Sequence, residues 1–300
     1  MSQNRLSIQY AFRLQILKLK IFLRFFIDDK LSAPLTLTSS NLMRIDSHVH
    51  IDTYDVDIKD VLNEIEQHKI FTIAVAMDPE SYVKSKEIAE HCHYVLPTFG
   101  IHPWQAHKFN ERLSEFDHFI DESPMIGEIG LDFHWIEDES LYPAQLQVFE
   151  YFLQKAQQQD KVVNIHTKGA ELKVIELLEQ YQVTAIVHWY SGPIELIQRY
   201  LDAGAFFTIS VELMFSDHIK EIAKTVQLNR ILTETDNPGG YSWLTNKVGM
   251  PSVLNLVIDE LAKQKQVTVD SLIEQIEVNM RGLVANRDDV LSLMDRLNKY

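Results

Sequence analysis

Met43-Arg44-Ile45-Asp46-Ser47-His48-Val49-His50 is a short apolar run that turns polar at its end. Seven more short apolar runs follow it, at residues 71–77, 95–102, 125–132, 162–167, 184–191, 205–210 and 231–236. Each is rich in Val, Ile, Phe or Thr, the composition of parallel strands covered on both faces. Amphipathic stretches fill the gaps. Residues 58–68 put Ile58, Val61, Leu62 and Ile65 on one helical face, and 141–159 do the same with Leu146, Phe149, Phe152, Leu153 and Ala156. Residues 171–181, 194–201, 219–226 and 253–264 repeat the spacing. Strands alternating with helices predict an α/β fold with a parallel sheet. Eight units in residues 43–300 match a closed (β/α)8 TIM barrel of about 250 residues. Extra C-terminal helices are predicted near 269–280 and 288–297. An open doubly wound sheet is the alternative, and it requires no particular strand count.

The first 42 residues differ from the rest. They hold six basic residues (Arg5, Arg13, Lys18, Lys20, Arg24, Lys30) against Asp28 and Asp29, a net of +4. The whole chain carries −15, so the remainder carries −19. Residues 14–27 are rich in Leu, Ile and Phe but are cut by Lys18, Lys20 and Arg24, too short and too charged for a span of roughly 20 apolar residues. They also lack the small-residue cleavage pattern of a secretory signal. Two readings stay open for 1–42: an extension outside the fold, since Met43 directly precedes the first strand, or a basic amphipathic helix on a membrane surface. The domain proper is then 43–300. Cys92 is the one cysteine, which excludes an intrachain disulfide and fits a reducing compartment, so a cytoplasmic location is expected. A protein that grips nucleic acid by bulk electrostatics is usually basic, so the acidic balance confines any such chemistry to a small local site.

The polar residues fall at one end of the predicted strands. His48 and His50 end the first, Glu128 lies in the fourth, His166 ends the fifth, His188 nearly ends the sixth and Asp236 ends the eighth. In a barrel the C-terminal strand ends converge on one mouth. Four histidines and two carboxylates gathered there suit zinc or a related transition metal. On a strand, residues i and i+2 face one side, so His48 and His50 can share an ion, with Asp46 as a candidate supporting carboxylate. A second pair, His91 and His93, follows a helical run and precedes the third strand. That is the opposite rim, and the pair reads as structural. His68, His107, His118 and His218 fall on helices or loops and receive no role. His134 follows the fourth strand and stays open.

Six segments together resemble the successive motifs of the TatD family of metal-dependent deoxyribonucleases: Asp46-Ser47-His48-Val49-His50, Gly100-Ile101-His102-Pro103-Trp104, Gly127-Glu128-Ile129-Gly130-Leu131-Asp132, Ile165-His166-Thr167-Lys168-Gly169-Ala170, His188-Trp189-Tyr190-Ser191-Gly192 and Glu234-Thr235-Asp236-Asn237-Pro238. They run in register from about residue 43 to 281. The resemblance implies an amidohydrolase-type barrel, one or two divalent ions per chain (zinc, magnesium or manganese) and hydrolysis of DNA phosphodiesters. It implies that His48 and His50 hold one ion, that Glu128 bridges, that His166 and His188 complete a second, and that Asp236 binds metal and takes the proton of the attacking water. His102 is not a ligand in this pattern. It is a catalytic candidate that contacts the phosphate or leaving group, or else it orders its loop. Lys168 stands where the family often has arginine, keeping the charge without the bidentate fork.

The chain departs from the family at Trp189-Tyr190, where cysteine and phenylalanine are frequent, and after Asp236, where arginine-rich sequence is replaced by Asn237-Pro238-Gly239-Gly240-Tyr241. Aromatic residues fall near the predicted mouth: Trp104, Phe133, Trp135, Trp189, Tyr190, Tyr241 and Trp243. Lys168, Trp104, Trp189 and Tyr190 are the candidate substrate-binding residues, because rings can stack on bases where arginines are missing. Single-stranded DNA or frayed ends are the expected partner, and no protein partner can be inferred. Two competing functions are a small-molecule amidohydrolase or esterase on the same barrel and a non-catalytic metal-binding scaffold. Glu128, where many amidohydrolases have a carboxylated lysine, favours the nuclease branch, and competent residues at all six ligand positions argue against a scaffold.

Overall fold

The computed structural model describes residues 42–299. The expectations for the N-terminal extension lie outside the described residues, apart from Leu42. From there eight strands run in order: β1 (Arg44–Val49), β2 (Ile70–Val75), β3 (Val95–Thr98), β4 (Ile126–Gly130), β5 (Val163–His166), β6 (Ala185–Val187), β7 (Phe206–Ile209) and β8 (Ile231–Thr233). Every pairing is parallel, within β1-β2-β3 and within β4-β5-β6-β7-β8. Two seams join these sheets into a ring. Phe99 bridges Ile126, with the Gly127 amide donating to Phe99 O at 2.9 Å. Val49 bridges Asn237, with the amides of Asp236 and His50 donating to His48 O at 3.0 Å and Asn237 O at 2.9 Å. The sheet therefore closes, which rules out the open alternative.

The strands are a few residues shorter than the apolar runs suggested, chiefly at their C-terminal ends. There the chain leaves the ladder early and aims polar side chains into the mouth. β3 stops at Thr98, well before His102, and β8 stops at Thr233, before Asp236.

The helices follow the amphipathic pattern. They are α1 (Ile58–Gln67), α2 (Pro79–Ala89), α3 (Asp117–Glu122), α4 (Tyr142–Gln159), α5 (Glu171–Tyr181), α6 (Ile197–Asp202), α7 (Asp217–Thr225), α8 (Gly239–Thr245), α9 (Leu254–Lys265), α10 (Val269–Leu283) and α11 (Asp288–Leu297). α2 begins at a reciprocal cap in which Asp78 accepts from the Ser81 amide at 2.8 Å and Ser81 Oγ accepts from the Asp78 amide at 3.0 Å. α10 packs against β1 and β8 and anchors there through Asn279, whose Nδ2 donates to Ile231 O at 2.7 Å. The core is continuous. Ile45, Ile70, Phe71, Ile73, Phe99, Phe149, Phe152 and Phe207 are almost fully buried, each contributing about 1.5–3 kcal/mol of transfer free energy. His91 and His93 lie between α2 and β3 on the solvent side, flanking the buried Cys92, so the structural reading of that pair agrees with their position. Among the described residues no helix is long and apolar enough to cross a membrane.

Candidate metal centre

Glu128 stands at the middle of the site, 1% exposed, and its two oxygens face different histidines. Oε2 is 3.4 Å from both His48 Nε2 and His50 Nε2. Oε1 is 3.1 Å from His166 Nδ1, 3.4 Å from His188 Nε2 and 3.3 Å from His102 Nε2. Asp236 closes the first half, its Oδ1 lying 3.4 Å from His50 Nε2 and 3.8 Å from His48 Nε2. Strand geometry explains the assembly. β1 ends at Val49, so His48 and His50 arrive together, and β5 and β6 deliver His166 and His188 from the opposite wall, where the His48 and His188 rings stack at 3.7 Å. The six residues expected at the mouth are thus brought together from five strands or strand ends.

Two glycines make this closeness possible. A Cβ on Gly130, whose φ is +144°, would collide with the His166 carbonyl, and a Cβ on Gly127 would lie 2.6 Å from Asn164 Cβ. The Gly-Glu-Ile-Gly stretch therefore lets β4 press against β5 beside the histidines.

Each of three histidines has a partner behind it. His166 Nε2 meets Asp132 Oδ2 at 2.9 Å, His188 Nδ1 meets Glu234 Oε2 at 3.2 Å, and His48 Nδ1 meets Asn164 Oδ1 at 2.9 Å. Such partners fix ring orientation and leave the other nitrogen facing Glu128. Asp46 does not back a histidine ring. It accepts from the Thr235 amide at 2.9 Å and Thr235 Oγ1 at 2.7 Å, and so holds the turn that carries Asp236.

The electrostatics are those of a crowded buried cluster. Burial opposes charge on Glu128, but the imidazoles of His102 and His48 outweigh it and hold the carboxyl well below its usual range. Burial opposes protonation of His48, yet the Glu128 charge raises it to about 10. Burial and the neighbouring His48 hold His188 well below its ordinary value. Burial lifts Glu234 to about 7. Against burial, the His166 contact lowers Asp132 to about 2.

The donor set fits a divalent cation. His48 Nε2, His50 Nδ1 and Glu128 Oε2 are buried and lack hydrogen-bond partners, a costly state that a cation at the first and last of these atoms would relieve. Three triads could hold an ion: His48, His50 and Asp236; His48, Glu128 and His188; His102, Glu128 and His166. The third is chemically the poorest. His102 Nδ1 accepts from the Trp104 amide at 3.2 Å, which leaves the proton of a neutral ring on Nε2, the atom that faces Glu128.

The mouth opens into a cavity of about 700 Å³ whose lining includes Trp104, Trp135, Lys168, Trp189, Asp236 and Trp243. Trp243 packs edge to face on Trp135 at 6.4 Å and on Trp189 at 6.1 Å. Lys168 donates to Ser191 Oγ at 2.6 Å and lies 5.9 Å over the Trp189 ring. Trp104 lines the cavity while its indole Nε1 donates to Asp132 Oδ2 at 2.7 Å. One expectation needs correction. Tyr190 does not face the cavity; it is buried against Tyr200 and Phe207, and its hydroxyl donates to Pro193 O at 2.7 Å. β6 has ended at Val187 and Trp189 takes a φ of +38°, so strand alternation no longer governs which way Tyr190 points. His102 is 3% exposed, accepts from the Trp104 amide and faces Glu128 Oε1 at 3.3 Å, so the loop-ordering bond is present beside its contact with the cluster. The sequence reading missed Asn164, whose signal was a polar side chain in an apolar strand two residues before a ligand candidate. It also gave no role to Asp132, although that residue stood inside a quoted motif.

Comparison with known proteins gives a consistent result. The profile of the family described as TatD related DNase matches residues 45–285. An uncharacterized metal-dependent hydrolase of Methanocaldococcus jannaschii is 27% identical over 241 residues, covering 78% of this chain and 94% of its own. The human deoxyribonuclease TATDN3 is 26% identical over 250 residues, covering 77% and 90%. Among solved structures, a TatD homologue from Escherichia coli superimposes with a TM-score of 0.73 at 20% identity, covering 81% of this chain and 98% of that one.

Proposed function

Because the chain belongs to the family of TatD-related DNases, we propose that this metal-dependent hydrolase is a deoxyribonuclease that acts on single-stranded or frayed DNA ends. The observation that carries the reading is the division of Glu128. One carboxylate oxygen faces His48 and His50, which Asp236 approaches from its other side, and the other oxygen faces His166, His188 and His102. A carboxylate placed in this way suits two divalent cations side by side. When bound, such ions would neutralise phosphate oxygens and make a water molecule acidic enough to attack at neutral pH.

The chain's own residues do the rest. His48, His50, Glu128, His166, His188 and Asp236 supply the ligands. Asp236 is the base. Its carboxylate is 21% exposed at the mouth, where it can accept a proton from water while staying within reach of His48 and His50. Asp132 and Glu234 hold His166 and His188 in orientation from behind. Lys168, kept in place by Ser191, offers one cation to the phosphate.

The preference for ends follows from the cavity. Among the described residues lining it, Lys168 is the only lysine or arginine, while Glu171, Glu212 and Asp236 are acidic. Lys108 and Lys247 are not in the lining. A long polyanion finds little to grip there, whereas one unstacked base can lie on Trp135, Trp243 or Trp104, which are 49%, 52% and 41% exposed. A single buried cysteine supports a reducing compartment such as the cytosol.

The test is the affinity of an Asp236→Asn protein for a short single strand across a salt series. Few phosphate contacts predict a shallow dependence, because the slope scales with the number of phosphates neutralised. A slope typical of six or more contacts would reveal an extended basic groove and overturn the end-binding reading. Absence of DNA binding, with turnover of a small ester or amide by the unmutated protein, would assign the function to the amidohydrolase branch.

A further inference from the structure

We propose that Asn164 is a positioning residue of the metal centre, fixing His48 in the tautomer whose Nε2 is free to ligate. Asn164 lies in β5 two residues before His166, so both side chains face the barrel interior. Its Nδ2 donates to Ser47 O at 2.8 Å, and that bond settles which end of the amide is nitrogen. Oδ1 is therefore the atom 2.9 Å from His48 Nδ1. An amide oxygen can only accept, so the imidazole proton must sit on Nδ1. Nε2 then carries the lone pair once a cation has displaced the second ring proton. It points toward Glu128 Oε2 at 3.4 Å and Asp236 Oδ1 at 3.8 Å and has no hydrogen-bond partner. In the opposite tautomer two acceptors would face each other in a buried site, and the ligating atom would be capped by hydrogen.

The choice of an amide has a physical reason. His166 and His188 are backed by carboxylates, Asp132 and Glu234, and Glu128 and Asp236 add two more acids to the same small volume. A neutral acceptor orients His48 without adding another buried negative charge. Gly127 makes the room, since any Cβ there would press on Asn164 Cβ at 2.6 Å.

The experiment uses the full chain and zinc as the probe. Three variants separate acceptance from packing. Asn164→Leu has similar volume and no polar atom. Asn164→Ser is too short to reach His48 and covers the case in which leucine does not fold. Asn164→Asp keeps the acceptor but cannot donate to Ser47 O. Zinc dissociation constants come from competition with a chromophoric chelator, and the His48 tautomer from long-range nitrogen–proton NMR of 15N-histidine protein. The leucine and serine variants should bind zinc about 10- to 100-fold more weakly, the range for loss of a ligand's orienting partner. The aspartate variant keeps the acceptor but adds a buried charge, so it should lose clearly less zinc affinity than the leucine variant. With zinc bound, the Nδ1–H signal of His48 should persist in the parent and in Asn164→Asp and be lost in Asn164→Leu. Parental zinc affinity and an unchanged tautomer in the leucine and serine variants would overturn the proposal. So would an aspartate variant as impaired as leucine, which would leave Asn164 only its bond to Ser47. The inference rests on His48 being a ligand. Unchanged zinc binding in His48→Ala would sink that reading itself, whereas zinc loss in His48→Ala beside intact binding in Asn164→Leu and Asn164→Ser sinks only the inference.

Discussion

Replacing Asp236 by asparagine removes one negative charge and one proton acceptor from the mouth while leaving the backbone able to keep its course. The residue has a φ of +52°, a conformation that Asn adopts as readily as Asp. It is held through its own main chain, by the amide bond to His48 O at 3.0 Å and by the Gly240 amide donating to its carbonyl at 2.6 Å. The lost ion-pair energy is small. The carboxylate is partly exposed and its histidine contacts are 3.4 and 3.8 Å long, so the cost to folding is at most about 1 kcal/mol. That corresponds to a Tm change below about 4 °C in a domain of this size. Turnover should respond much more strongly. A positioned general base contributes about 10²- to 10⁴-fold, so kcat should fall at least about a hundredfold, roughly 2.7 kcal/mol of barrier. Hydrolysis of an end-labelled oligonucleotide at saturating metal measures this, with metal content and Tm recorded on the same preparation. Turnover within about threefold of the parent in a metal-loaded, folded mutant would remove the base role from Asp236.

Other perturbations separate the remaining parts of the account. His48→Ala with His50→Ala should lose bound metal and activity, whereas His91→Ala with His93→Ala, altered at the opposite rim, should keep both; equal metal loss in the two double mutants contradicts the strand-end argument. Trp135→Ala with Trp243→Ala should weaken oligonucleotide binding by about 5-fold or more, on the scale of one lost base stack, and leave turnover of a small chromogenic diester unchanged; a loss confined to the small diester would refute the stacking role. Metal affinity should rise with pH between about 6 and 8, because His48, held near 10, carries a proton in the metal-free protein that ligation must displace, and His50 and His166 are shifted in the same direction; a flat calorimetric profile would contradict it. A chain starting at Met43 should fold and retain activity, and insoluble or inactive protein on expression of that truncation would count against a domain of 43–300.

The barrel was legible because its strands are buried on both faces, which writes them as apolar runs, and because its helices bury one stripe. The gathering of the candidate ligands was legible for the same reason. A histidine or carboxylate at the end of an apolar run, as at His48, Glu128, His166 and His188, has few structural excuses. What supports those residues was harder to read. Asn164, Asp132 and Glu234 act across strands, and a sequence does not state which strand interior faces which. Tyr190 was misjudged because the alternation that located His188 stops at Val187, where the chain leaves the ladder and Trp189 turns into the left-handed region. His102, placed at the mouth by its position after β3, does reach the cluster, with Nε2 3.3 Å from Glu128 Oε1, but the Trp104 amide occupies its other nitrogen. Strand position predicts convergence well, but it does not predict side-chain direction once the strand has ended.

The central claim is that the histidine–carboxylate cluster at the barrel mouth holds the metal that makes this chain hydrolyse DNA. The direct measurement strips the purified protein with chelator, restores zinc, magnesium or manganese singly, and follows an end-labelled single strand in each state, with His48→Ala/His50→Ala protein as control. The account predicts no cleavage by the stripped protein, recovery with at least one ion, terminal nucleotides as the first products, and no recovery in the double mutant. Cleavage that survives chelation, or that the double mutant recovers with added metal, would contradict it.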